Sequence, residues 1–123
     1  MSTNLRVAIL LAGSGLIWLV GNAVSEAADA SVGERLWRQA GIEDPEKGGI
    51  RHCATCHGQD LRQPGQHIQT GKQIDPMAYS MASNRYGDAE KTEKWFLRNC
   101  KWTFGRACSE SEKADLLTYL KSL

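Results

Sequence analysis

The sequence predicts a small all-α domain, and three observations carry that expectation. Two segments open with Ser-x-x-Glu boxes, Ser31 to Glu34 and Ser109 to Glu112, the reciprocal side-chain pattern that starts helices. No stretch alternates apolar and polar residues convincingly enough to read as a strand. A five-residue box, Cys53-Ala54-Thr55-Cys56-His57, is followed by a segment, Gly58 to Met81, that holds Pro64, Gly65, Gly71 and Pro76 and lacks helical periodicity.

The first element is a leader. Arg6 supplies a short positive region, and Val7 to Val20 is mostly apolar, interrupted by Gly13, Ser14 and Gly15. Ser25-Glu26-Ala27 and Ala28-Asp29-Ala30 both offer small-residue cleavage sites, so residues 1–30 read as a secretory signal peptide and 31–123 as the folded domain. The other reading is an uncleaved membrane anchor. The run is short against the ~20 residues a span requires, and its glycines are central.

A helix is expected from about Val32 to Ala40, capped by Ser31, with Leu36, Trp37 and Ala40 inward and Gly41 as its stop. Glu43 to Ile50 is a loop. The box sits on a short turn or helix. Asp88 is the expected N-cap for a helix to about Asn99 with Trp95 and Phe96 inward, Lys101 to Cys108 is a loop, and Ser109 opens a last helix to about Lys121 with Leu116, Leu117, Tyr119 and Leu120 as its stripe. This order is similar to that of class I cytochromes c. In that fold the first and last helices cross closely at a glycine–aromatic contact, and Gly33 and Tyr119 resemble the pair.

A C-x-x-C-H box is the attachment signature of c-type haem. Each thiol adds to one vinyl group, so Cys53 and Cys56 fix the porphyrin edge and hold His57 beneath the iron as proximal ligand. A redox dithiol would call for a βαβ frame, and zinc would call for a second ligand pair at suitable spacing. Neither is present. A single covalent haem c also supplies apolar interior that a domain this small lacks. The Gly58–Met81 segment is long for a structureless loop, and wrapping a haem edge accounts for it.

The chain of 123 residues carries a formal charge of +1 and no basic block. Nucleic acid is therefore not an expected partner. Export, here to the periplasm, implies an oxidising compartment. With Cys53 and Cys56 committed to haem, Cys100 and Cys108 remain as one pair, either a disulfide or two buried thiols. Closing that loop would stabilise by about 2.5 kcal/mol in the chain-entropy model.

The sixth iron ligand decides the function. Met77, after Pro76, and Met81 are candidates, and thioether ligation would make a simple electron carrier. Both could instead cover the haem edge as gap-fillers. His67 is a further, weaker candidate, and His52 is held on the proximal side.

A third possibility comes from a resemblance. Thr70-Gly71-Lys72-Gln73-Ile74, Glu93 to Cys100, Gly105-Arg106-Ala107-Cys108 and Glu112 to Leu117, together with the haem box, resemble the sphaeroides haem protein family. Its members are small oxygen-binding class I cytochromes c. The resemblance runs from about Gly33 to the C-terminus, and its most specific part is the Arg-Asn-Cys…Gly-Arg-x-Cys arrangement. It implies that Asn99 is the distal ligand of the oxidised protein and is released on reduction so that O₂, CO or NO can bind. It also implies a Cys100–Cys108 disulfide and a dihaem or other c-type cytochrome as electron donor. Trp95 lies one helical turn from Asn99 and would line the same pocket. No general acid or base is identifiable, so enzymatic turnover is left open. The alternatives are a His/Met electron carrier and a gas-binding module without turnover.

Overall fold

The computed structural model describes residues 26–123; most of the predicted leader, residues 1–25, lies outside the described residues. The fold is mostly helical. Helix α1 spans Ala30–Arg38, α2 is the four-residue Ala54–His57, α3 spans Ala89–Phe104 and α4 spans Glu110–Lys121. Two short strands, β1 (Gly65–Gln66) and β2 (Gln73–Ile74), form an antiparallel ladder with Gly65 opposite Ile74. A 3-10 turn occupies Ser83–Tyr86. The strands depart from the all-α expectation. They are too short to leave an alternating pattern, and the turn between them is what makes them pair.

The predicted last helix and its Ser109–Glu112 capping box are both present. The start of α1 differs. Asp29, not Ser31, is its N-cap: the Asp29 carboxylate accepts from the Ser31 and Val32 backbone N–H groups. A carboxylate there also meets the positive end of the helix dipole, an advantage Ser31 lacks. Glu34 turns away from the cap and pairs with Arg38 one turn on. The helix ends at Arg38 rather than Ala40 because Gly41 and Ile42 leave it for tertiary hydrogen bonds to the Arg51 and Thr103 carbonyls.

Helix α3 runs past Asn99 to Phe104, so Cys100 lies inside the helix and the predicted loop from Lys101 contracts to the residues after it. Cys100 and Thr103 extend its buried face, and Gly105 ends it in the left-handed region. The Trp102 carbonyl then accepts from Arg51 Nη1, while Arg51 Nε pairs with Asp44 at 3.0 Å and the guanidinium sits over the Trp102 ring. This ties the 42–51 loop to the end of α3.

The core lies where α1 crosses α4: Leu36, Trp37, Leu116, Tyr119 and Leu120, joined by Leu61 and the two half-cystines. Gly33 makes the crossing possible. A Cβ there would stand 2.0 Å from the Asp115 carbonyl oxygen and 2.8 Å from Tyr119 Cβ. The expected Gly33–Tyr119 contact is therefore present. The backbone N–H of Asp29 donates to the Asp115 carboxylate at 2.7 Å, fastening the start of α1 to the same turn of α4.

Candidate haem site

Helix α2 explains the spacing of the box. Its single turn closes with His57 N–H donating to the Cys53 carbonyl and Gly58 N–H to that of Ala54. Residues i, i+3 and i+4 of a helix share a face, so Cys53, Cys56 and His57 project together. The His52 N–H, capped by the Thr55 hydroxyl, fixes the entry to the turn. From the other side β1 presses against it: a Cβ at Gly65 would stand 2.2 Å from the Cys56 carbonyl oxygen. The glycine is what lets the loop lie on the box.

His57 packs in an apolar setting, with the Trp37 ring centroid 5.4 Å from its own. Burial, aided by the positive charge of Arg85, pushes its pKa down to about 4. Its Nδ1 is buried and, among the described residues, has no hydrogen-bond partner. A neutral imidazole is the form that ligates metal. Arg85 is itself pinned, donating to the carbonyls of Asp75 at 2.7 Å and Pro76 at 3.2 Å. The Tyr86 hydroxyl donates to the Met77 carbonyl. The 75–86 segment is thereby folded up beside the box.

Cys53 and Cys56 are unpaired thiols, whereas Cys100 and Cys108 are joined in a disulfide with Cα atoms 5.7 Å apart. Burial pushes the Cys53 thiol up to about 11, against the opposing effect of the Thr103 hydroxyl beside it. The set fits the c-type haem that the box implies: two free thiols and a neutral imidazole on one face, backed by an apolar core. Cys53, Cys56 and His57 would hold it.

The remaining predicted residues fall as follows. Asn99 is exposed on α3, one turn before the buried Thr103 that touches Cys53. Trp95, one turn before Asn99, is 48% exposed, with the Arg98 guanidinium 5.3 Å from its ring centroid. Met77 packs against the core cluster, its N–H bonded to the Leu61 carbonyl, while Met81 is 57% exposed. His67 is held within its own turn, Nδ1 accepting from the N–H groups of Gln69 and Thr70. Sequence reasoning missed Arg85 and Thr103. Neither belongs to a motif, and only the fold of the 75–86 segment and the extra length of α3 bring them to the box.

Residues 23–120 match the model of a family described as a domain of unknown function, DUF1924. The chain is 41% identical over 98 residues to the cytochrome c-type protein SHP of Cereibacter sphaeroides, covering 80% of this chain and 74% of that protein. It is 40% identical over 68 residues to cytochrome c'' of Methylophilus methylotrophus, covering 55% of this chain and 47% of that one. The solved structure of oxidised SHP, an oxygen-binding cytochrome c, superposes with a TM-score of 0.69 at 40% identity, covering 78% of this chain and 83% of the other. Oxidised cytochrome c'' from Methylophilus methylotrophus superposes with a TM-score of 0.68 at 33% identity, covering 80% and 79%. Among the described residues no helix is long and apolar enough to cross a membrane. A box of this geometry on this helical frame, with this degree of likeness, makes the chain a c-type cytochrome of the DUF1924 family, the family of the sphaeroides haem protein.

Proposed function

We propose that the protein is an exported, periplasmic cytochrome with one covalent haem c, whose distal ligand Asn99 closes the iron in the oxidised state and withdraws on reduction. Bound through Cys53, Cys56 and His57, the haem supplies one-electron iron chemistry and a coordination position for O₂, CO or NO. Helix α3 carries the reading: Asn99 lies one turn from the residue that touches Cys53 and next to the disulfide at Cys100. A carboxamide is a weak neutral ligand, so Asn99 would hold the iron loosely enough for a change of iron charge to release it. The disulfide ties α3 to the start of α4, limits the motion of the helix, and leaves the Asn99 side chain as the part that moves. Trp95 walls the same face. Met77, packed against the core, is poorly disposed to compete as ligand. Electrons arrive from a partner c-type cytochrome.

Absorption spectra test this directly. CO added to the dithionite-reduced protein is expected to shift the Soret band at once, and Asn99→Ala to turn the ferric spectrum high-spin or water-bound. An unchanged reduced spectrum under CO, or a Met77→Ala or Met81→Ala variant that alone changes the ferric spectrum, would favour a closed His/Met electron carrier instead.

A further inference from the structure

Helix α3 has a second surface that ligand binding does not use. Lys91, Lys94, Arg98 and Lys101 follow one another at intervals of three and four. At 3.6 residues per turn the four fall within an arc of about 80°. All lie outside the core, and among the described residues none of the four forms a salt bridge. The acidic residues of the helix are confined to its first half, Glu90 and Glu93, and Glu93 is engaged by Lys113 of α4. From Lys94 onward the stripe has no acidic neighbour on its own helix. On a chain of formal charge +1 this is a marked local concentration of positive charge.

Apolar side chains flank the stripe. Trp95 borders it on the Asn99 side, and Leu97, 45% exposed, borders it on the other. Trp95 and Arg98 are of the residue types enriched at protein interfaces, and the three lysines place charge around them where it can steer an encounter.

We infer that this face of α3 docks an acidic electron-transfer protein, which passes one electron from its reduced cofactor to the ferric haem. The inference rests on the haem reading above and names where the donor sits. The donor thus meets the helix that carries Asn99, so electron arrival and ligand release share one element. Opposite charges steer the encounter and make its rate fall with ionic strength.

The test uses the haem-loaded protein and a reduced flavodoxin as an acidic one-electron donor. At low salt the second-order reduction rate is expected to be high and to fall about tenfold or more toward high salt. Lys91→Glu/Lys94→Glu/Lys101→Glu is expected to remove most of that rate and of its salt dependence. A control, Arg62→Glu/Lys72→Glu/Lys121→Glu, changes net charge equally away from α3 and is expected to stay within about twofold of the parent. Equal slowing by the two triples, or none by the first, would overturn the inference. So would loss of binding to phosphatidylglycerol vesicles by the first triple while its flavodoxin rate stays that of the parent, which would assign the stripe to lipid. Unaltered CO binding by the reduced α3 triple keeps a folding defect apart from a docking defect. Failure of the parent to bind CO would sink the ligand-release reading and leave the rate comparison intact.

Discussion

At the residue scale, Glu112 shows how one side chain serves two structures. It closes the capping box by accepting from the Ser109 N–H, and its two oxygens receive the forked guanidinium of Arg106 at 2.8 Å each. The Arg106 hydrogen bonds, with that of Ser109, hold its carboxyl at about 2, well below the usual 4.5. Because the folded value is the lower one, the stabilisation is complete above the unfolded pKa and is lost as pH falls through the folded one. Glu112→Gln is therefore expected to lower the thermal midpoint at neutral pH. The gap to the parent should close between about pH 4.5 and pH 2. A gap as large near pH 2 as at neutral pH would mean that the carboxylate charge contributes nothing. This box was legible in the sequence because every atom in it is local. Thr103 against Cys53 and Arg85 beside His57 were not, since each contact joins residues far apart in the chain.

At the element scale, the crossing of α1 and α4 depends on the missing side chain at Gly33. Its would-be Cβ meets backbone, the Asp115 carbonyl, which has no rotamer to yield with. Gly33→Ala is expected to cost about 1–3 kcal/mol by forcing the helices apart, despite alanine's better helix propensity. Urea denaturation of the haem-loaded protein reads this, and a variant as stable as the parent would show that the crossing tolerates the shift. Helix identities were predictable from periodicity, and so were the starts of α3 at Asp88 and of α4 at Ser109 and the end of α4 at Lys121, but the start and end of α1 and the end of α3 were not. Helix α1 starts directly after Asp29 because the Asp29 carboxylate takes the Ser31 and Val32 N–H groups and draws those residues into the first turn, ahead of the predicted cap. Helix α3 continues beyond Asn99 because Cys100 and Thr103 find buried partners that only the tertiary fold provides. The short β1–β2 ladder lacked any pattern to read: two residues per strand are fewer than an alternation needs.

At the scale of the whole molecule, the fold bears on where the proposed leader would be cut. Asp29 caps α1, its N–H binds the Asp115 carboxylate, its carbonyl accepts from Gly33, and Ala30 packs against the core. Cleavage after Ala30 would discard all four interactions, whereas cleavage after Ala27 keeps them. The intact mass of the exported, haem-loaded protein is expected to correspond to a chain beginning at Ala28; one beginning at Ser31 would show that the cap is dispensable. The disulfide has its own bearing on biogenesis. If the chain is exported as proposed, its four thiols have three ways to pair, and only one leaves Cys100 joined to Cys108. Cys100 and Cys108 are separated by 8 residues, both near the junction of α3 and α4. Loop-closure entropy favours near partners over distant ones, so oxidation falls first within each pair and crossed bridges across the long loop are disfavoured. On the proposed covalent haem attachment, maturation would be left with a single selective demand, to keep one close pair, Cys53 and Cys56, reduced until the cofactor arrives.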